Sequence, residues 1–237
     1  SNLSYLSKLH ERVVFARLSS FLQMNGLLDK YQSAYRSNHS VETLLAQMSG
    51  HILQQMDTGK VTATVLLDLS SAFDTVDHTI LINRLSSLGI KGTALQWLSS
   101  YLTDRHQSVC IKNIKSASVP LCCGVPQGSV GGPLLFSIYT SPLGKIIKKY
   151  GIQYHCYADD IQLFTSFSPL QSSAVVAMTK LEACIDHIRT WMSSNCLKLN
   201  DAKSCFMMFG TKTNLAKLNI SSIRIGASCI STSATAR

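Results

Sequence analysis

The most informative segment for the architecture is Tyr154-His155-Cys156-Tyr157-Ala158-Asp159-Asp160-Ile161-Gln162-Leu163-Phe164-Thr165-Ser166-Phe167. Its two halves, residues 154–158 and 161–167, resemble two strands joined by a tight turn. Glycine or asparagine is the usual residue at such a turn, so the pair Asp159-Asp160 is unusual there. Adjacent carboxylates repel each other and destabilise the chain unless a cation offsets their charge. The turn is therefore a candidate cation site as well as an element of the fold.

A third carboxylate, Asp68, stands at the end of another predicted strand. Residues 61–67 are β-branched and apolar throughout, which suits a strand buried on both faces. Carboxylates at the ends of neighbouring strands can converge, and three of them could hold two Mg²⁺ ions. Such ions, about 3.5–4 Å apart, can activate an attacking hydroxyl and stabilise the leaving oxygen. A solvated Asp-Asp turn and a helix N-cap at Asp68 stay open as simpler interpretations.

The order of the predicted elements indicates an α+β fold. Residues 61–67 are followed by helices at 79–88 and 93–102, a glycine-rich loop, a helix over 134–149, the carboxylate hairpin, a helix over 170–193 and a strand at 205–209. That order is the split βαβ pattern of a ferredoxin-like antiparallel sheet with helices packed on one face.

The flanking segments are also predicted from their patterns. Apolar residues that include Leu6, Leu9 and Val13 predict an amphipathic helix over 6–24. Ser40 can cap a helix that extends to about residue 56. The remaining predictions are a pair of short strands at 108–111 and 117–122 around a polar link at 112–116, a weaker strand at 220–225, and a frayed tail over 228–237.

Composition narrows the class of protein. The net charge is +9, from 22 Lys and Arg against 13 Asp and Glu, and this balance favours polyanionic partners. No apolar run approaches the roughly 20 residues that span a bilayer, so we expect no membrane segment. The N-terminus lacks a signal-peptide pattern, and the eight cysteines contain no C-x-x-C pair. The expected location is the cell interior.

Four motifs occur in order along the chain. They are residues 67–78, residues 124–129 with 133–136, residues 157–160, and residues 197–200 with Lys203. Together they resemble the polymerase motifs of non-LTR (LINE-type) retrotransposon reverse transcriptases, and the resemblance extends from residue 6 to about residue 210.

The resemblance implies a right-hand polymerase palm with partial, mainly helical fingers. Residues 1–60 would be partial fingers, 61–203 the palm with a fingers insertion around 80–123, and 204–237 the end of the palm and the start of a truncated thumb or connection. The implied activity is RNA-directed DNA polymerisation, in which deoxynucleotides are added to a primer 3′ end by two-metal phosphoryl transfer. RNA template, DNA primer, deoxynucleoside triphosphates and two Mg²⁺ ions, with Mn²⁺ as an alternative, are the implied partners, in cytoplasm and nucleus.

The resemblance also implies roles for individual residues. Asp68, Asp159 and Asp160 would be catalytic and metal-binding; Leu69, Phe73, Gln127, Gly128 and Lys203 would bind substrate; Arg36 would contact the template. Phe73 matches an aromatic gate that excludes a 2′-hydroxyl, and Gly124 and Gly128 would let the backbone approach the nucleotide and template base. Ordinary alternatives stay open: a core phenylalanine for Phe73, a solvated lysine for Lys203 and a surface arginine for Arg36.

The sequence departs from the family pattern in two ways. Gly131 stands where the family has a leucine, which predicts lost packing and a looser loop around Gln127. The chain is also expected to be truncated at both ends, without a thumb or an endonuclease domain. Two alternatives to an active polymerase follow: an inactive remnant that binds nucleic acid, and a two-metal nuclease or phosphatase.

Overall fold

A computed structural model of the chain describes residues 5–34, 36, 39–112, 114–126 and 128–233. The helices are α1 (Tyr5–Met24), α2 (Val41–Asp57), α3 (His78–Ser87), α4 (Gly92–Leu102), α5 (Gly132–Thr140), α6 (Leu143–Lys149), α7 (Gln171–Ser193) and α8 (Lys212–Leu215). The strands are β1 (Val61–Leu67), β2 (His106–Gln107), β3 (Cys110–Ile111), β4 (Ile114–Lys115), β5 (Val119–Pro120), β6 (Gln153–Tyr157), β7 (Asp160–Phe167), β8 (Cys205–Phe209), β9 (Ser222–Ile225) and β10 (Ser228–Ser231).

Two compact units account for the chain. We call Ser1–Leu28 with Ser71–Thr140 the helical unit, and Asp29–Ser70 with Ser141–Arg237 the sheet unit. The mixture of helices and a sheet confirms the predicted α+β class. Within the described ranges, no helix combines the length and the apolar character that a membrane crossing requires.

The sheet unit is built on a four-stranded sheet with the order β6-β7-β1-β8. All three strand pairs are antiparallel. This is the order of a ferredoxin-like sheet, as the sequence predicted. The central strand β1 has the predicted bounds, and nearly all of its residues are buried. A continuous apolar run over 61–67 therefore did indicate a strand covered on both faces.

Helices cover both faces of this sheet. The His51 ring of α2 lies 5.3 Å from the Phe164 ring of β7. Gly144 of α6 lies instead against the hydroxyl of Tyr154, which pairs with Leu163. Because side chains alternate along a strand, Phe164 and Leu163 face opposite sides. Thus α6 and α2 lie on opposite faces, whereas the prediction placed helices on one face only. Coverage of both faces explains why nearly all residues of β1 are buried.

Two predictions about the C-terminal half of the chain are wrong. The single helix predicted over 134–149 is divided into α5 and α6 at Ser141-Pro142, because proline has no N–H for a helix interior and its ring clashes with the preceding turn. The tail is not frayed at Ser228–Ser231, which forms β10 and pairs antiparallel with β9. Backbone pairing there needs no strong apolar pattern, so the residue pattern did not indicate a strand.

The face of α1 that is buried differs from the predicted one. The buried positions are Glu11, Phe15, Leu18 and Leu22. Leu6, Leu9 and Val13 are exposed. The buried stripe follows the helical period, but it includes a carboxylate that an apolar count discards.

The short strands of the helical unit pair differently from the prediction. Cys110–Ile111 pairs with Ile114–Lys115, which was predicted to be a polar link, and His106–Gln107 pairs with Val119–Pro120. Residues in all four strands are exposed. Without a buried face, the sequence pattern does not specify the register.

Candidate active site

The predicted turn at Asp159-Asp160 is a tight hairpin in the sheet unit. Tyr157 pairs with Asp160, so Ala158 and Asp159 form a two-residue turn between β6 and β7. Ala158 has φ +57°, a left-handed conformation that costs a non-glycine residue about 1–2 kcal/mol. Strain of this kind persists only where surrounding contacts hold it.

Asp68 lies near Asp160 at the same end of the sheet. Leu67 is the partner of Ile161 in the antiparallel β1–β7 pair, so the next residue of one strand faces the preceding residue of the other. The end of β1 is held further by the segment of the fourth motif. The backbone N–H of Asn200 donates to the carbonyl oxygen of Asp68 at 2.9 Å, and Ser70 donates to Lys198 at 2.9 Å. Convergence of the carboxylates, expected from the ends of neighbouring strands, is thus present in the backbone.

The electrostatics at this sheet end are those of crowded negative charges. The pKa of the Asp160 carboxyl is raised, first by partial loss of hydration and then by the charges of Asp159 and Asp68, whereas Lys203 lowers it. The Lys203 ammonium lies 3.6 Å from Oδ2 of Asp68. The same Oδ2 is buried and has no hydrogen-bond partner. A buried anionic oxygen without a hydrogen bond is costly unless a cation stands near it.

The donor set fits hard divalent cations by its chemistry. Three carboxylates supply oxygen ligands of the kind that Mg²⁺ prefers, and Oδ2 of Asp68 is buried without a hydrogen bond, so a cation could serve as its partner. Across the described ranges, however, no three side chains of His, Cys, Asp or Glu are gathered closely enough to hold a metal ion. The backbone therefore places Asp68, Asp159 and Asp160 at the same end of the sheet, but their side chains are not arranged to coordinate one ion together.

Two of the predicted substrate-binding residues adjoin Asp68. Lys203 reaches its carboxylate with a side chain that is 70% exposed, so its ammonium remains available to a ligand. Leu69 is buried and forms an isolated antiparallel bridge with Leu199. The side chain of Leu69 is part of the core, and its backbone ties the first motif to the fourth.

Arg36 is engaged within its own loop. Its Nη1 donates to the carbonyl oxygens of Asp29 and Gln32, each at 3.2 Å. This arrangement gives Arg36 a structural contact that the sequence did not predict, and its contact with a template stays a prediction. Gln127 lies outside the described residues.

The other predicted residues belong to the helical unit. Phe73 is half-buried and its ring stacks on the buried ring of Phe136, with centroids 4.7 Å apart. Its carbonyl oxygen accepts a hydrogen bond from Val125 at 2.8 Å. Gly128 is exposed with φ +78°. At Gly124, with φ +87°, a Cβ would stand 2.9 Å from the carbonyl oxygen of Asp74, so the close neighbour that requires glycine is this chain's own backbone.

The loop at Gly131 is packed, contrary to the expectation that the glycine loosens it. A Cβ at Gly131 would overlap the ring of Phe15, which is itself buried. The ring of an α1 residue thus occupies the volume that a leucine would take, and packing at the loop is replaced rather than lost.

Glu11 is a second contact to this loop that sequence reasoning missed. It is 2% exposed, and its Oε2 accepts a hydrogen bond from the backbone N–H of Val130 at 2.7 Å. A charge-assisted bond of this length is strong. The available signal was the position of Glu11, one helical turn before Phe15 on the stripe that continues to Leu18 and Leu22: a single acid on a buried face needs a partner.

Comparison with known proteins identifies the family of the chain. The family model described as reverse transcriptase (RNA-dependent DNA polymerase) matches residues 1–230. A probable RNA-directed DNA polymerase from transposon BS of Drosophila melanogaster is 33% identical over 223 residues, which are 90% of this chain and 24% of that protein. The RNA-directed DNA polymerase from mobile element jockey of the same species is 27% identical over 219 residues, 90% of this chain and 23% of that protein. The chain thus spans about a quarter of the length of these relatives.

Solved structures agree on the fold. Telomerase from Candida albicans, in complex with a fragment of telomeric RNA, has a TM-score of 0.61 at 12% identity over 96% of this chain and 38% of that one. Telomerase from Candida tropicalis, in complex with the same kind of RNA fragment, has a TM-score of 0.63 at 12% identity over 98% and 38%. At these identities the likeness concerns the fold alone, and it confirms the predicted right-hand polymerase fold.

Proposed function

The chain belongs to the reverse transcriptase family, and from this premise we propose that it is the RNA-directed DNA polymerase domain of a non-LTR retrotransposon. Its substrates would be an RNA template, a DNA primer and deoxynucleoside triphosphates. The observation that carries the proposal is the placement of Asp68 near Asp160, with a buried oxygen that lacks a hydrogen bond. The cytoplasm and nucleus are the proposed locations.

Asp68, Asp159 and Asp160 would hold two divalent cations, Mg²⁺ or alternatively Mn²⁺. When bound, such cations lower the pKa of a primer 3′-hydroxyl and neutralise the triphosphate. The carboxylate of Asp160 must be ionised to act as a ligand. Because its pKa is raised, cation binding should weaken as the pH falls. Lys203, next to Asp68, would offset negative charge that develops on the leaving pyrophosphate.

The other residues would position substrate. Leu69, Gln127 and Gly128 are assigned to the incoming nucleotide, and Phe73 to exclusion of a ribose 2′-hydroxyl. Arg36 is assigned to the template backbone, since a guanidinium matches phosphate geometry. We retain the proposed bounds: fingers over 1–60, palm over 61–203 with an insertion around 80–123, and the end of the palm with the start of a thumb or connection over 204–237.

A second candidate is a nucleic-acid-binding remnant that does not extend primers. Two observations favour it: the net charge of +9, and the absence of a gathered three-ligand cluster among the described side chains. Counterion release would support binding to either nucleic acid without any catalysis.

Primer extension on an RNA template with Mg²⁺ tests the proposal. Asp159→Ala should lower extension by about a thousandfold or more, because several kcal/mol of metal-dependent stabilisation are lost. Asp57→Ala, a change to an exposed aspartate at the end of α2, is the matched control and should extend normally. Extension that dideoxynucleotides stop supports the polymerase. Binding without extension supports the remnant, and template degradation without extension supports a two-metal nuclease.

A further inference from the structure

A buried side-chain amide encloses the backbone of the carboxylate turn. Gln32 is 8% exposed. Its Nε2 donates to the carbonyl oxygen of Ala158 at 3.2 Å, and its Oε1 accepts from the N–H of Ala158 at 3.0 Å. The same Oε1 also accepts from the N–H of Ala34 at 3.1 Å. One amide therefore satisfies both polar groups of the residue that precedes Asp159.

Ala158 is the residue of the turn that most needs such support. Its left-handed φ of +57° is disfavoured for a residue with a Cβ, and glycine or asparagine would be usual there. The two carboxylates that follow repel each other and favour opening of the turn. Hydrogen bonds to a buried amide are directional, so they oppose both the strain and the repulsion.

The neighbours of Gln32 run along the outer edge of β6. Gln32 forms a parallel bridge with Cys156, through bonds from Cys156 to Tyr31 at 2.8 Å and from Ser33 to Cys156 at 3.0 Å. Side chains add further contacts: Ser33 Oγ lies 2.6 Å from Nε2 of His155. The backbone of residues 29–34 is thereby fixed to the strand that leads into the turn.

Both ends of this segment are anchored. The hydroxyl of Tyr154 donates to Oδ2 of Asp29 at 2.7 Å, and burial with this bond raises the pKa of Tyr154. Arg36 returns to the carbonyl oxygens of Asp29 and Gln32 and closes the segment on itself. We call residues 29–34 together with Arg36 the brace.

We infer that the brace sets the direction of Asp159 and Asp160 and that Gln32 is its positioning residue. The inference rests on the proposed function for its catalytic consequence, but the contact itself is independent of catalysis. Gln32 contacts the backbone of Ala158 and none of the three carboxylates. It fixes the backbone from which the carboxylates project, so its loss should weaken metal binding while the rest of the sheet stays folded.

Gln32→Met tests the inference, because methionine has a similar shape and makes no comparable hydrogen bonds. Hydrogen–deuterium exchange without metal should show the amide of Ala158 exchanging at least about tenfold faster than in the wild type. Gln171→Met is the matched control: Gln171 is exposed and its Oε1 accepts a backbone bond from Asn219 at 3.0 Å, remote in sequence from the turn. Its exchange at Ala158 should be unchanged.

Calorimetric Mn²⁺ binding supplies the second readout. Gln32→Met should weaken binding by about 10- to 100-fold, the usual effect of losing an outer contact of a metal site. Adding Ala158→Gly to Gln32→Met should recover part of the affinity, since glycine adopts a positive φ without strain. In primer extension the loss should fall on kcat rather than on the KM for deoxynucleotide.

Gln32→Glu keeps the acceptor oxygen and removes the donor, so it should fold and show an intermediate exchange rate. Unchanged exchange at Ala158 in both Gln32→Met and Gln32→Glu overturns the inference. A wild type that binds no Mn²⁺ would instead reject the proposed function, and the exchange comparison would still decide the role of the brace.

Discussion

The carboxylate turn of the sheet unit and the glycine-rich loop of the helical unit are held in different ways. At the turn, a buried amide makes hydrogen bonds to a strained alanine. At the loop, the Phe15 ring fills the space beside Gly131 and Glu11 binds the N–H of Val130. Hydrogen bonds constrain an angle, whereas packing constrains a volume. The turn must aim two ligands and is held by hydrogen bonds, whereas the loop is held by the packing of Phe15 together with one hydrogen bond from Val130 to Glu11.

Gly131→Leu, which restores the residue of the family pattern, should have the largest effect on the loop. The new side chain would overlap the Phe15 ring, so we expect a loss of about 3 kcal/mol in the free energy of unfolding. Chemical denaturation measures it. Gly50→Leu is the control, because a Cβ at Gly50 meets nothing within 4 Å.

The double variant Gly131→Leu with Phe15→Ala sharpens the same test. If the Phe15 ring and the new leucine compete for one volume, the double variant should lose less free energy of unfolding than the two single variants lose together. Additive losses would show that the loop is not held by the volume of Phe15.

Glu11→Ala tests the polar half of the loop's support. It leaves the N–H of Val130 without its charged partner, and a loss of about 2 kcal/mol in the free energy of unfolding is expected. Glu182 also accepts a backbone bond, from Arg224 at 2.9 Å, but at the surface. Thermal or chemical unfolding of Glu182→Ala should therefore show a smaller loss, and equal losses would contradict the role of burial.

Phe73→Ala distinguishes a role of the Phe73 ring in substrate selection from a role in packing against Phe136 alone. If Phe73 excludes the 2′-hydroxyl, the preference for deoxynucleotides over ribonucleotides should fall by about tenfold or more. Competitive incorporation measures the ratio, and Phe73→Tyr, which keeps the ring, should preserve it. An unchanged ratio in Phe73→Ala would leave Phe73 as a core residue.

A weaker effect is expected from His155, which contacts Ser33 of the brace and should make the free energy of unfolding depend on pH. Burial lowers the pKa of His155, with His39 acting in the same direction and Asp29 opposing it. The unfolded chain therefore takes up a proton near pH 6.5 that the folded chain does not, and stability is lost as the pH falls below this value. His155→Gln should flatten the decline in unfolding experiments, whereas exposed His106→Gln should not. A decline of the same slope in His155→Gln would remove His155 as its cause.

The predictable parts of the molecule are those with local causes. The bounds of β1 and β8 follow from apolar runs, and Asp68 and Asp160 meet because they end neighbouring strands. The grip of Gln32 on Ala158 joins residues 126 positions apart, and no local pattern indicates which polar side chain will make it. The buried face of α1 escaped prediction for a related reason, since the buried Glu11 accepts a hydrogen bond from Val130, which is 119 positions away in the sequence.

Gly131 shows a further limit of sequence reasoning. Taken alone, a glycine in place of a leucine predicts a missing anchor. The structure replaces that anchor with a ring from α1, and this compensation becomes visible only in three dimensions. The arrangement of the carboxylate side chains was likewise beyond the sequence, which predicted their convergence but not the ion pair between Lys203 and Asp68.

The segments beside β6 and β8 also affect how the molecules behave toward one another. Gln32 bridges to the outer side of β6, and Thr232 bridges in parallel to Phe206 on the outer side of β8. A bare outermost strand is a template for pairing with another chain and so for aggregation. Because both edge strands of the four-stranded sheet are partly paired, aggregation by strand pairing with another chain is hindered at each edge. Detachment of residues 29–34 would reopen one margin, and concentration-dependent light scattering would report it.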